Sequence, residues 1–312
     1  MKKIILTLNL FFCVVVCNAQ EDSTGLAGDH FSLQGALELF SKATSIEEYE
    51  KALNTEANHV NNLDLNEDGE IDYVRVENHS EGDAHAFVLQ VAVSEKESQD
   101  VAVIELEKTA EANAQIQIAG DEELYGKDVF TEPLEEEVKG GKGGPADYTA
   151  VRVVVINVWL WPSVRFVFAP AYRPWISPWR WRAYPTWWKP WKPLGWRIHH
   201  GHCAHFRMHY HVVSVHRCTR AHGVYHTHRV TSATVHNKYK DAHVKHKKNT
   251  TAKVQNEKAQ SGNGKNETVK RDNTNAKSAK PAKNEKAEKK TAGGKKQGEG
   301  KKAGGKQGGR KQ

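Results

Sequence analysis

The feature that most limits how this chain can fold is the division of its charge. Residues 20–148 carry 31 acidic and 8 basic side chains, a net of −23, and residues 149–312 carry 35 basic and 7 acidic, a net of +28. The formal balance of +7 conceals this split. Like charges resist close packing within either half, so the halves should attract each other. Any surplus should seek an outside partner of opposite sign.

The first residues read as a secretory signal. Lys2 and Lys3 form a positive start, residues 4–16 a short apolar stretch, and Cys17-Asn18-Ala19 places small residues before a cut at Gln20. The apolar stretch is too short to span a bilayer. Val16 stands where a lipoprotein signal wants a small residue. Export to the periplasm, the cell surface or the outside is therefore expected, with residues 1–19 removed. Cys203 and Cys218 are the two cysteines that survive the cut. In an oxidising compartment they are a disulfide candidate, worth about 3 kcal/mol for a loop of that length.

The apolar pattern predicts an α+β fold. Leu33, Ala36, Leu37 and Phe40 lie on one helical face, and Ser45 with Glu48 makes a capping box before the stripe Ile46, Tyr49, Leu53. From Ile71 the period becomes two: Phe87, Leu89, Val91, Val93; then Ala102, Ile104, Leu106; then Ile116, Ile118. Two short N-terminal helices on an antiparallel sheet are expected, as an acidic domain over residues 28–134. Residues 135–147 read as a linker or exposed loop, and 148–169 as a strand or hairpin able to join the same sheet. Residues 170–197 are Trp-, Pro- and Arg-rich and residues 198–246 His-rich; both are expected to be irregular. Residues 247–312 have almost no apolar side chains and should be disordered.

The sharpest motif is Asp64-Leu65-Asn66-Glu67-Asp68-Gly69-Glu70-Ile71-Asp72. It resembles the DxNxDGxxD calcium loops of EF-hands, dockerins and integrin-type repeats. The resemblance implies side-chain oxygens from Asp64, Asn66, Asp68 and Asp72, a backbone carbonyl from Glu70, and a sharp turn at Gly69. The bidentate Glu that closes an EF-hand is replaced by Arg75. A nine-residue loop entering a strand is therefore expected, with a structural calcium ion held at about 10⁻⁴–10⁻³ M. A plain hairpin turn on Asp68-Gly69 is the competing reading. The chain as a whole resembles exported bacterial proteins, and that resemblance attaches no known activity.

All nine Trp lie between Trp159 and Trp196, and seven of the ten Pro lie between Pro162 and Pro193. Proline at that density excludes a regular helix or central strand. Such a cationic aromatic run could lie on an anionic membrane or envelope polymer, stack on nucleic-acid bases, or pack on the acidic domain with Arg173, Arg180 and Arg182 meeting its carboxylates. Nucleic acid is the weakest of these, because no nucleic-acid module accompanies the run.

Thirteen of the seventeen His lie between His199 and His246. They follow a two-residue period, with His205, His209 and His211 on one parity and His222, His226 and His228 on the other. These six are candidate ligands for zinc, copper or nickel. A pH-responsive charged patch and a plain solvated stretch are the alternatives. No nucleophile elbow, zincin helix or phosphate loop is present. A non-enzymatic envelope protein contacting anionic polymer or membrane is expected, with an envelope metal-binding protein as the alternative. The sequence sets no oligomeric state.

Overall fold

A computed structural model describes residues 23–138, 151–252 and 255. They belong to one compact unit, residues 1–255; the second unit, 256–312, lies outside the described residues. So do the expected signal segment, residues 139–147 of the expected linker, and most of the expected tail.

The α+β architecture is as the periodicity indicates. Helix α1 spans Leu33–Lys42 and α2 spans Ile46–Leu53. Ser32 caps α1 by accepting from Gly35 N at 3.0 Å, and Ser45 caps α2 by accepting from Glu48 N at 3.1 Å. The Glu48 carboxylate reaches back to Thr44 N and Oγ1 and completes the box. Four antiparallel neighbours follow: β1 Val74–Glu81, β2 Ala84–Ala92, β3 Ser98–Ala110 and β4 Asn113–Gly120. After a short helix α3 (Glu122–Tyr125), β5 (Phe130–Val138) pairs with the end of β4. Strand β6 (Val151–Val155) then pairs with the second half of β5.

Three expectations are corrected here. The acidic run at 135–138 is strand rather than linker, since it continues β5 against β6. Among the described residues of the expected strand or hairpin at 148–169, only 151–155 form a strand. Helix α4 occupies Pro162–Val167, because Pro162 is set for the first turn and Ser163, Val164 and Val167 share one buried face. The acidic domain also does not close within 28–134. Val158, Val164, Val167, Cys203, Phe206, Tyr210 and Val235 all enter its main core.

That core lies on the inner face of the sheet. Val74, Val76, Phe87, Leu89, Ile104, Leu106, Ile116 and Ile118 meet Leu37, Phe40, Ile46, Tyr49 and Leu53 of α1 and α2. The Phe40 ring sits 5.2 Å from Tyr49 and 5.1 Å from Phe87. Each such apolar side chain contributes roughly 1.5–3 kcal/mol on burial.

The His-rich segment is more regular than its composition indicates. Helix α5 (Trp196–His202), a 3-10 turn (Cys203–Met208), strand β7 (Tyr210–Val213) and helix α6 (Thr219–His226) precede a helix over 233–252. The last therefore takes in the first residues assigned to a disordered tail. Strand β7 pairs with the first half of β5. Helix α6 covers the outer face of the sheet, where Val224 and Tyr225 meet Ala86, Val88, Val103, Ala119 and Phe130. The sheet is thus buried on both faces.

Candidate functional site

Three features can be described as sites: the 64–72 loop, the Trp-rich strap beside it, and, on the outer face of the sheet, a row of buried carboxylates.

The loop is tied by its own side chains. Asp64 Oδ2 accepts from Gly69 N (3.1 Å), Asn66 Oδ1 from Asp68 N (2.9 Å), Asp68 Oδ1 from Glu70 N (3.0 Å) and Asp72 Oδ2 from Leu65 N (2.6 Å). Gly69 holds φ +82°, the left-handed turn for which glycine is suited. Asp64 Oδ1 is buried without a hydrogen-bond partner. Burial pushes the Asp72 carboxyl up to about 7, with Asp64 and Asp68 adding to the effect. This donor set of carboxylates, an amide oxygen and one orphaned buried oxygen fits a hard cation. Val74 begins β1 directly after the loop, and Arg75 turns away to Gln90, Ser98 and the Trp179 carbonyl. No second EF-hand helix follows.

The strap, residues 170–195, runs along the β1 edge. Asn78 N donates to Trp175 O at 2.7 Å and Ser177 N to Val76 O at 3.1 Å, so the open strand edge is covered. Glu50, 2% exposed, anchors it from below. Its carboxylate accepts from Trp175 Nε1 (3.0 Å), Ser177 Oγ (2.9 Å), Tyr73 Oη (2.9 Å) and Val76 N (2.9 Å). Ile71 N donates to Trp191 O at 2.8 Å, which joins the strap to the calcium-type loop. Between them lies an open cavity of about 460 Å³ lined by Asp68, Asp72, Trp181, Arg182, Trp188 and Lys189, among others.

The packing reading holds for the tryptophans, with Trp159, Trp161 and Trp175 against the main core and Trp188 buried, but Arg173, Arg180 and Arg182 do not meet the carboxylates of the acidic domain. Arg173 donates to its neighbour Tyr172 O, and Arg182 lies 5.5 Å from the Trp181 ring. These arginines, with Lys189 and Lys192, are exposed. Among the described residues none of the five forms a salt bridge with a carboxylate.

The carboxylates are met instead by the His-rich segment. On the outer face Glu105 and Glu132 are 0% exposed, Glu107 is 4% and Gln117 0%. Arg217 Nε reaches Glu132 at 3.0 Å, Arg220 Nε reaches Glu107 at 3.3 Å and Arg229 Nε reaches Asp121 at 2.7 Å. Glu105 receives two imidazoles, His216 Nε2 at 2.6 Å and His222 Nδ1 at 2.7 Å. The hydrogen bond to Glu105 raises the His222 pKa, against desolvation by burial. Ligand atoms of Glu105, His216 and His222 all lie within 4.8 Å of one another. Among the described residues this is the one such His/Cys/Asp/Glu trio.

Of the six candidate His ligands, only His222 joins this cluster. His205 turns its Nδ1 to His202 O and lies tilted against Phe206, His209 and His226 are exposed, His211 sits on β7, and His228 stacks on His79 at 3.9 Å. Helices interrupt the two-residue period, so residues of one parity no longer share a face. Glu105 and His216 were not singled out from the sequence. The available signal was a Glu alternating with Ile104 and Leu106 on a buried strand.

The disulfide expectation is also corrected. Both cysteines are free and buried. Cys203 sits in the inner core with its thiol on His59 O at 3.3 Å, while Cys218 packs with Ala84 and Ala221 on the outer face. The sheet separates them. Among the described residues no helix is long and apolar enough to cross a membrane.

Compared with models of known protein families, with curated proteins and with solved structures, the chain matches none.

Proposed function

We propose that this is a non-enzymatic exported envelope protein. A calcium ion at Asp64, Asn66, Asp68, Glu70 and Asp72 would stabilise its α+β domain. Its Trp-rich strap would contact an anionic envelope polymer or membrane surface. The observation that carries this reading is that Arg173, Arg180, Arg182, Lys189 and Lys192 are exposed and form no salt bridge with a carboxylate among the described residues, on a backbone fastened to β1 and to the 64–72 loop. Fixed cations lose little entropy on binding. Trp187 (44% exposed) and Ile176 (54%) add apolar surface between them.

The test is sedimentation of the full chain with anionic vesicles, neutral vesicles and an anionic polysaccharide. Binding to an anionic partner should weaken steeply between about 50 and 200 mM salt, because released counterions drive it. Replacing Arg180, Arg182, Lys189 and Lys192 by Ala should weaken it and flatten its salt dependence. Absence of binding, or binding indifferent to salt, would end the reading.

A second reading, an envelope transition-metal-binding protein, is favoured by the Glu105–His216–His222 cluster.

A further inference from the structure

We propose that Glu105, His216 and His222 hold one divalent transition-metal ion of the zinc type, and that this ion fastens residues 210–232 to the outer face of the sheet. The proposal rests on the metal-binding reading and deepens it by assigning the site.

The argument begins with five buried carboxylates that face the cover, of which Asp100 accepts from Gln90 Nε2 and Val230 N. Glu107, Glu132 and Asp121 each meet an arginine, a permanent cation. Glu105 is equally buried and meets none; its two oxygens are directed at two imidazoles. Each imidazole turns a ring nitrogen toward that carboxylate, and imidazole nitrogen with carboxylate oxygen is a donor set suited to zinc. A buried carboxylate is best satisfied by a cation held close to it. A divalent ion shared by the carboxylate and the two imidazoles would supply one.

The geometry admits such an ion. Zinc takes imidazole nitrogen and carboxylate oxygen at about 2.0–2.2 Å, which puts tetrahedral ligands about 3.4 Å apart. The two nitrogen–oxygen distances are already inside that separation, and all three ligand atoms are within 4.8 Å. Small rotations of the two rings would open the centre. Phe130, stacked 4.4 Å from His216, sets the plane of one ring. The His222 side chain is 39% exposed, so an ion has an entry path and a water can take the fourth position. His216 and His222 both belong to the cover, whereas Glu105 belongs to β3. The ion would therefore bridge the cationic half to the acidic half.

The test uses the full chain stripped by a chelator. Zinc is titrated in competition with a chromophoric chelator, and cobalt(II) is added in parallel for its visible spectrum. The wild type should take up one equivalent that His222→Ala loses, with affinity at that equivalent falling at least ~100-fold. The His222 side chain is 39% exposed, and circular dichroism checks that its variant folds. Glu105→Gln should weaken the same equivalent, with circular dichroism confirming its fold. If both variants keep the wild-type stoichiometry and cobalt spectrum, the assigned site is wrong while the metal-binding reading stands. If the wild type takes up no ion, both fall.

Discussion

Glu50 is the point at which the strap's attachment can be measured. Its carboxylate gathers four donors, Tyr73 Oη and Ser177 Oγ on one oxygen, Val76 N and Trp175 Nε1 on the other. Glu50→Ala leaves Val76 N and Trp175 Nε1 buried without acceptors, at roughly 1–3 kcal/mol each. With the lost packing the expected cost is about 3–5 kcal/mol. Glu50→Gln should behave differently. Its amide oxygen can serve Val76 N and Trp175 Nε1. Its amide nitrogen can donate to the Tyr73 and Ser177 hydroxyl oxygens, which accept as readily as they donate. A cost of about 1 kcal/mol or less is expected. The two also differ in pH dependence. Burial raises the Glu50 pKa from 4.5, and the hydrogen bonds to Trp175, Val76, Ser177 and Tyr73 offset this only in part. A carboxyl raised in the folded state stabilises most below its unfolded pKa, and that contribution is lost as pH rises through the folded value. Glu50→Gln has no such proton, so its cost relative to wild type should be largest near pH 4.5 and shrink by about pH 7.5. Urea unfolding followed by Trp fluorescence reads this directly, because all nine Trp lie in residues 159–196. Equal costs for Ala and Gln, or a Gln cost that grows with pH, would refute the reasoning.

Calcium at about 10 mM should add roughly 1.4–2.7 kcal/mol if the loop binds at 10⁻⁴–10⁻³ M, raising the melting temperature by a few degrees. An identical melting temperature in calcium and in chelator would remove the loop from the list of ion sites. Arg217→Ala should cost about 2–3 kcal/mol by stranding the Glu132 charge, a figure set below the usual 3–5 because the Arg217 side chain is 36% exposed. Adding Glu132→Gln should recover part of that loss; a double variant less stable than the single would contradict the ion-pair account. Alkylation of the denatured, unreduced chain lacking residues 1–19 should label two thiols, and zero labels would restore the disulfide. In the native state both should react slowly, since burial raises each thiol pKa and Glu105, Glu107 and Glu132 raise that of Cys218 further.

The inner half of the fold was legible because it obeys local rules. Leu33, Ala36, Leu37 and Phe40 announce α1, and Ser45 with Glu48 announces the start of α2. Phe87, Leu89, Ile104, Leu106, Ile116 and Ile118 alternate as a one-sided sheet requires. The same alternation hid the outer face. Glu105, Glu107 and Gln117 look like the solvated side of an antiparallel sheet, and only a cover about 100 residues downstream buries them. Helix α4 was hidden by β-branched neighbours, although Trp161-Pro162 marked its start. The 64–72 loop was legible as a turn built on Gly69 and tied by Asp64, Asn66, Asp68 and Asp72. The grouping of Glu105 with His216 and His222 was not, because it arises only through tertiary packing.

The charge division that dominates the sequence is resolved by two different geometries. Helix α6 and its flanks lie on the sheet face, so Arg217, Arg220 and Arg229 point inward to buried carboxylates. The proline-rich strap spends its backbone on the β1 edge and leaves its cationic side chains outward. Stability and recognition should therefore depend on different cations of the same basic half. Arg217→Ala should lower the unfolding midpoint and leave sedimentation with an anionic partner nearly unchanged at temperatures where the variant is folded. Arg180→Ala with Arg182→Ala should do the reverse, since neither side chain meets a buried carboxylate. If the two pairs of effects coincide, the cationic half acts as one undifferentiated charge, and the assignment of the strap to recognition fails.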